Sequence, residues 1–283
     1  MISIRPFSLG DLELGMRLKE AAGWNQTEAD WRRAYELAPD GCFVGLCDGT
    51  PAATLATCRF GPVAWIAMVL TSPEFRGRGL ATALMRHAID ELLSAGVTTI
   101  RLDATQFGRP VYEKLGFTVD YELRRWSGSP SLLQGPMVTD FGVIRPLDDD
   151  DWPRVVEVDR LASGCDRDRF LAALRDSAPK AYVADTPAGV AGVALLRPGI
   201  SATQVGPVVA VDEECGRLLL SMAIQDCHGS PVFVDVAAAN VAAEEVVRAR
   251  CLDIQRAFWR MTLGPKAEDA PKQIFASSGP EKG

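Results

Sequence analysis

Ser72-Pro73-Glu74-Phe75-Arg76-Gly77-Arg78-Gly79-Leu80-Ala81 is the stretch whose reading decides the fold. The run before it, 63–70, is almost wholly apolar and reads as a central strand buried on both faces. Pro73 ends that strand. The residues after it predict a helix over 80–95. Leu80, Leu84 and Ala88 share one face, with Ala81, Met85 and Leu92 beside them, and Gly96 supplies the stop. A buried strand, a glycine-containing loop and a strong helix therefore follow one another. The first N–H groups of a helix have no internal partner, and the helix dipole adds about half a positive charge there. Such an end suits a phosphate or diphosphate. Gly77 and Gly79 carry no side chain to hold the backbone away from the anion, and Arg76 and Arg78 can add charge-assisted contacts.

Three anion-binding patterns compete for this segment. A Walker A loop needs four residues between its glycines and a Lys-Ser/Thr after them, and neither is present. A dinucleotide fingerprint needs a third glycine where Thr82 stands. Asp103 lies near the distance of a ribose-binding acid, so a nucleotide-dependent oxidoreductase stays as a distant option. The third pattern is Arg-x-x-Gly-x-Gly/Ala, which Arg76, Gly79 and Ala81 match in full. In this the chain resembles the GCN5-related N-acetyltransferase (GNAT) superfamily.

The flanks extend the resemblance. An edge strand over 2–5 ends at Pro6. Helices are expected over 11–22 and 27–37, the second capped by Thr27 with Asp30 three residues on. Strands over 41–47 and 52–59 meet at the tight-turn pair Asp48-Gly49. Beyond the long helix come a strand over 98–102, a short helix over 109–115 and a strand over 117–126. Gly108-Arg109-Pro110-Val111-Tyr112-Glu113-Lys114-Leu115-Gly116-Phe117 is similar to the superfamily's second hallmark, Tyr-x-x-x-Gly-Phe. The likeness covers about 2–126. It implies an α/β (α+β) fold with a mixed, mostly antiparallel sheet flanked by helices.

The second half restarts the first. Ile144-Arg145-Pro146 repeats Ile4-Arg5-Pro6, Gly164 answers Gly23, and 204–211 and 214–225 answer the central strand and long helix. This reads as an internal duplication, with domains over 1–128 and 140–283 and a linker over 129–139. The chain resembles bacterial two-domain GNAT proteins, also in Gly23-Trp24-Asn25-Gln26-Thr27 and Asp103-Ala104-Thr105. The second copy departs from the pattern. Val211-Asp212-Glu213-Glu214-Cys215-Gly216 replaces the Arg-Gly loop, and its three acids would repel a diphosphate. Cys251-Leu252 replaces the Gly-Phe pair. A degenerate domain without cofactor is expected there.

The resemblance implies acetyl-CoA as co-substrate and a primary amine of a small molecule as acceptor, joined by direct attack in a ternary complex. It puts the cofactor on Arg76, Gly77, Arg78, Gly79, Leu80 and Ala81, and its pantetheine arm and thioester carbonyl along Met68, Val69 and Leu70. Tyr112 matches the general acid that protonates the leaving thiolate. For the base, Asp103 at a strand end and a water relay stay open. Trp24, Asn25 and Trp65 are candidates for the acceptor pocket, offering flat apolar surface and one orienting amide. A non-catalytic acyl-CoA sensor or interaction protein is the other reading.

Composition bounds the rest. A length of 283 residues suits two domains, and 47% hydrophobic with 24% charged residues is ordinary globular usage. A net charge of −7 argues against nucleic acid as a partner. No run of ~18 apolar residues argues for a membrane span. The N-terminus has no basic flank and apolar stretch of a signal peptide, so a cytoplasmic location is expected. Seven cysteines, none at CxxC spacing, and two histidines give no disulfide framework, no metal site and no His-based triad. A second copy of the chain, giving a homodimer, stays an open partner.

Overall fold

The computed structural model describes residues 1–131 and 142–280. Most of the expected linker, 132–139, lies outside the described residues.

In the first half, β1 (Ile2–Pro6), β2 (Cys42–Cys47), β3 (Thr50–Phe60) and β4 (Val63–Thr71) pair antiparallel in that order. Side chains alternate across a strand, and β2 separates two cores by that rule. Phe43 faces α3 (Leu80–Ser94), packing with Leu84, Met85 and Ala88. Cys42 and Val44 face α1 (Leu12–Ala21) and α2 (Glu28–Leu37), packing with Leu14, Leu18 and Trp31. Gly15 allows the two helices to close, since a Cβ there would stand 2.9 Å from the Trp31 ring. β5 (Thr99–Ala104), the one-and-a-half-turn α4 (Arg109–Glu113) and the long β6 (Thr118–Gly128) complete the half.

The second half repeats this order as β7 (Val143–Pro146), α5 (Trp152–Ser163), α6 (Asp168–Arg175), β8 (Lys180–Thr186), β9 (Gly189–Arg197), β10 (Thr203–Ala210), α7 (Glu213–Gln225), β11 (Val232–Ala237), α8 (Val241–Ala249) and β12 (Asp253–Leu263). The repeat extends to single hydrogen bonds. Arg5 donates to both oxygens of Asp11 at 2.8 and 2.6 Å, hooking the first strand to the start of α1. Arg145 does the same to Asp151 at 2.7 and 2.8 Å.

The halves interlock. The sheet runs β1-β2-β3-β4-β5-β12-β6-β11-β10-β9-β8-β7. β12 of the second half lies antiparallel between β5 and β6, and β6 of the first half lies antiparallel between β12 and β11. Each half thus gives the long strand after its short helix, β6 or β12, to the other's edge. One mixed sheet, flanked by helices, results, and the two strand edges that would otherwise face solvent pair with each other.

β4 and β5 are parallel but pair only over Val63–Trp65 and Thr99–Arg101, then part. β10 and β11 do likewise after Val205 and Val234. The second opening is filled from within. β13 (Ile274–Ala276) pairs antiparallel with Val208 and Val209, Ser277 N–H donates to the Asp235 carbonyl at 2.8 Å, and the Phe275 ring packs on Gly216 of α7. Among the described residues, no such strand fills the first opening.

Candidate functional site

The open cleft holds a cavity of about 870 Å³. Its lining runs from Arg76 and Ala81 at the start of α3, along 66–71 of β4, past Leu102 and Tyr112, to Trp24 and to 255–259 of β12.

The β4 wall is bulged. Thr54 pairs with Leu70 but Ala56 pairs with Ala67, so Met68 and Val69 face Leu55 alone. A bulge re-aims backbone groups. Met68 takes φ +53°, an uncommon state for a side chain of its size, and Thr54 Oγ1 donates to its carbonyl at 3.1 Å. The strand segment expected to face the acyl donor is thus held in a distorted, over-determined shape.

The start of α3 matches an anion site. Gly77 (φ +76°) and Gly79 (φ +87°) occupy the left-handed region, which makes glycine the fitting residue at both. Gly79 is the N-cap and offers no capping side chain, and the first turn holds no acid. Arg76 and Arg78 are exposed beside it. Leu80, by contrast, buries its side chain in the core at 1% exposure, so it has only backbone to offer a ligand. In the second half, Asp212 caps α7 by accepting from Cys215 N–H at 2.8 Å, and Glu213 and Glu214 fill the first turn. A diphosphate fits the first of these helix starts and not the second.

Tyr112 stands on the cavity wall. Thr105 Oγ1 accepts from Gly108 N–H at 3.2 Å and starts the short helix α4. Gly108 then lets the Tyr112 ring fold back on it, since a Cβ there would lie 2.9 Å from the ring. The hydroxyl has no hydrogen-bond partner among the described residues, and burial pushes the phenol up to about 12. Phe117 N–H donates to the Tyr112 carbonyl at 3.1 Å, with Gly116 at φ +92° between them. In the second half, Leu252 N–H donates to the Val247 carbonyl and Cys251 takes φ +60°. Valine stands there in the place of tyrosine.

Three expected site residues are engaged by other groups of the protein. Asp103 borders the cavity, but both its oxygens accept from Arg260, Nε and Nη2 at 2.9 Å each, and its side chain is 1% exposed. A carboxylate bound on both oxygens by a buried guanidinium is an anchor between β5 and β12. Trp65 does not line the cavity. It lies buried beneath the guanidiniums of Arg101 and Arg260, at 5.3 and 4.7 Å from the ring centroid. Asn25 borders the cavity, but its amide holds a loop of the second half. It donates to the Ala202 carbonyl and accepts from Ser201 N–H, Ser201 Oγ and Ala202 N–H, all within 3.1 Å. Trp24 alone of the three acceptor candidates presents itself to the cavity with no such tie.

The cavity also has lining that the first-half motifs do not announce. Phe107 is 91% exposed beside it. Gln255, Arg256, Phe258 and Trp259 reach it from β12, and Arg125 from β6. Strand exchange brings these residues in, and motif spacing within one half carries no sign of it. Among the described residues there is no group of three or more His, Cys, Asp or Glu placed to hold a metal. No helix among them is long and apolar enough to cross a membrane.

The geometry defines a class: a duplicated splayed-sheet unit in which the first copy keeps an open cleft below an uncapped helix. Comparison with known proteins agrees. The family model described as Acetyltransferase (GNAT) family matches residues 13–117, and that described as Acetyltransferase (GNAT) domain matches 155–276. The chain belongs to the GNAT acetyltransferases, as a two-domain member. A protein from Pyrococcus horikoshii, provisionally named an acetyltransferase, shares the fold over 100% of this chain and 96% of its own, with 23% identity and a TM-score of 0.84. A GCN5-related N-acetyltransferase from Sphaerobacter thermophilus follows with 16% identity, 95% and 98% coverage and a TM-score of 0.67. A tandem GNAT protein from the clavulanic acid biosynthesis pathway has 16% identity, 94% and 100% coverage and a TM-score of 0.67. No curated protein matches the sequence.

Proposed function

We propose that the first half transfers an acetyl group from acetyl-CoA to the primary amine of a small molecule, by direct attack in a ternary complex. The observation that carries this reading is that one cavity joins the uncapped start of α3 to the free hydroxyl of Tyr112. Acetyl-CoA supplies the activated acyl group as a thioester. The amides of 79–82, with Arg76 and Arg78, hold its diphosphate. The bulged backbone at Met68, Val69 and Leu70 offers the position for an N–H aimed at a developing oxyanion, typically worth ~3 kcal/mol of barrier.

Tyr112 acts on the leaving sulfur. Full proton transfer from a phenol near 12 to a thiolate near 8.5 is uphill by roughly 5 kcal/mol. Its contribution is therefore a hydrogen bond to the sulfur as charge develops there. With Asp103 bound by Arg260, the amine proton leaves through water in the cavity. The second half serves the first by walling the acceptor side with β12.

The test is turnover. Thiol release from acetyl-CoA, measured over a panel of amines, is expected to exceed blank hydrolysis for at least one acceptor. Acetyl-CoA binding without any amine-dependent release would instead favour a sensor of acyl-CoA.

A further inference from the structure

We propose that the amine acceptor carries a carboxylate, and that Arg256 is the residue that selects it. The inference rests on the acyl-transfer reading of this cleft and adds the substrate class to it.

Four charged residues border the cavity: Arg76, Asp103, Arg125 and Arg256. Two are already neutralised. Asp103 is bound by Arg260. Arg125 donates Nε and Nη2 to the two oxygens of Asp235 at 2.7 Å each. Arg76 belongs to the loop at the start of α3. That leaves Arg256, which forms no ion pair among the described residues. Its only contact there with a hydrogen-bonding group is from Nε to the neighbouring Gln255 Oε1, at 3.3 Å. The acceptor side of the cavity therefore carries one uncompensated positive charge, although the whole chain is acidic at −7.

The local backbone explains why the charge sits there. β12 is bulged at Gln255, since Ile254 pairs with Trp126 while Arg256 pairs with Arg125. Two arginines therefore stand opposite each other on adjacent strands, and both guanidiniums lie near the Phe258 ring, at 5.2 and 5.9 Å from its centroid. One carboxylate serves the pair. Asp235 is committed to Arg125, and Gln204 Nε2 also donates to it at 3.3 Å. Burial, and after it the charge of Arg125, push the pKa of Arg256 down. Asp235 offsets part of this through space, but a half-buried cation beside a like charge, with no carboxylate bound to it directly, is still a costly arrangement. A ligand carboxylate relieves that cost, and the planar fork of a guanidinium matches a carboxylate with two hydrogen bonds. Trp259 pairs with Ala104 at the end of β5. Arg256 lies three residues further along β12, roughly 10 Å on. That leaves room for an amino acid between the splay and the cation. Trp24, Phe107 and Phe258 offer apolar surface for its side chain.

The experiment measures binding first, so that it does not depend on turnover. The full chain is titrated calorimetrically with N-acetylphenylalanine and N-acetylglycine, each against its primary amide, and with N-acetylphosphoethanolamine. The acids are expected to bind at least ~10-fold tighter than their amides. Arg256→Gln is expected to erase that difference with acetyl-CoA affinity unchanged and the unfolding midpoint of the free protein not lowered, and Arg256→Lys to keep part of it. Equal binding of acid and amide, or no binding of either, overturns the proposal. So does a preference that survives Arg256→Gln, or a phosphate probe that outcompetes both acids. Thiol release then separates the two readings. Acid-selective binding without turnover of any amine refutes the transferase and supports the carboxylate site. Turnover of neutral amines as fast as amino acids refutes the carboxylate site alone.

Discussion

Arg260 and Asp103 face each other across the seam between the two halves, Nε and Nη2 each 2.9 Å from one carboxylate oxygen, with both side chains at 2% exposure or less. Arg125 and Asp235 repeat the arrangement at the other seam, at 2.7 Å. In each pair the arginine rides on an exchanged strand and the aspartate on the strand that receives it. The pairs therefore set the register in which the halves interlock.

Removing one partner strands the other's charge in the interior. Arg260→Gln is expected to cost about 3–5 kcal/mol, and the double change Asp103→Leu with Arg260→Met to recover most of that loss. Chemical denaturation followed by circular dichroism measures both. If Asp103→Asn kept full stability and lost only turnover, the carboxylate would return to the chemistry as a base.

Tyr112 gives a pH prediction of definite sign. Its phenol is raised by burial from the usual 10 to about 12. The hydroxyl thus stays protonated in the folded protein through the ordinary working range. No loss of kcat attributable to this residue is expected between pH 8 and 10 on that account. A raised pKa also means that the stability tied to this group is complete below about 10 and is lost as pH climbs toward 12. Tyr112→Phe removes one donor to the developing charge and is expected to lower kcat by ~10²-fold while shifting acetyl-CoA affinity little. Steady-state kinetics beside calorimetric titration separates the two effects.

Local signals made the first half legible. The apolar run 63–70, the helix after Gly79 and the Tyr112-to-Phe117 segment each depend on neighbours in sequence, and each appears where spacing predicts it. The Ile-Arg-Pro repeat likewise revealed the duplication, because Arg5 and Arg145 do one job within six residues of themselves. What the chain did not reveal was long-range. Asp103 looked like a free acid at a strand end because its partner is 157 residues away. Asn25 looked like a substrate amide because its partners are 176 and 177 residues away. Trp65 alternates onto the face that Arg101 and Arg260 cover, and strand periodicity alone does not say which face meets the cavity.

The paired hooks at the start of each half stabilise the fold at neutral pH and are lost at acid pH. Its hydrogen bonds with Arg5 hold Asp11 down at about 2, and those with Arg145 hold Asp151 down as well. A depressed carboxylate contributes stability that is present above its unfolded value near 4 and is lost as pH falls through the folded value. Asp11→Asn is expected to remove this contribution. An acid-titration of the unfolding midpoint should show the variant less sensitive than wild type between about pH 4 and 2.

Gly79 tests the anion site with little risk to the fold. Its φ of +87° disfavours any side chain, yet a Cβ would meet only Ile2 Cδ1, at 3.8 Å. Gly79→Glu adds strain of order 1–3 kcal/mol and a like charge where the diphosphate is proposed to rest. Loss of detectable acetyl-CoA binding is the expected result, with unfolding only slightly eased. Unchanged affinity would move the cofactor away from the start of α3.

The last prediction concerns the half that is closed. β13 pairs with β10 where β10 and β11 have parted, so the chain itself supplies hydrogen bonds in the place that the first cleft leaves open among the described residues. Phe275 is fully buried against α7, and Gly216 is required beneath it, because a Cβ there would come within 2.0 Å of the ring. Asp212 meanwhile spends the helix start on its own carboxylate. Each feature removes something that the proposed acetyl-CoA site of the first half offers, so undoing one of them is not expected to create a second site. Asp212→Gly is expected to leave acetyl-CoA binding at one per chain. Phe275→Ala is expected to cost about 3–5 kcal/mol of stability, also with one site per chain. Calorimetric stoichiometry decides the first point and denaturant titration the second. A second equivalent bound by either variant would mean that the closed cleft keeps a latent site.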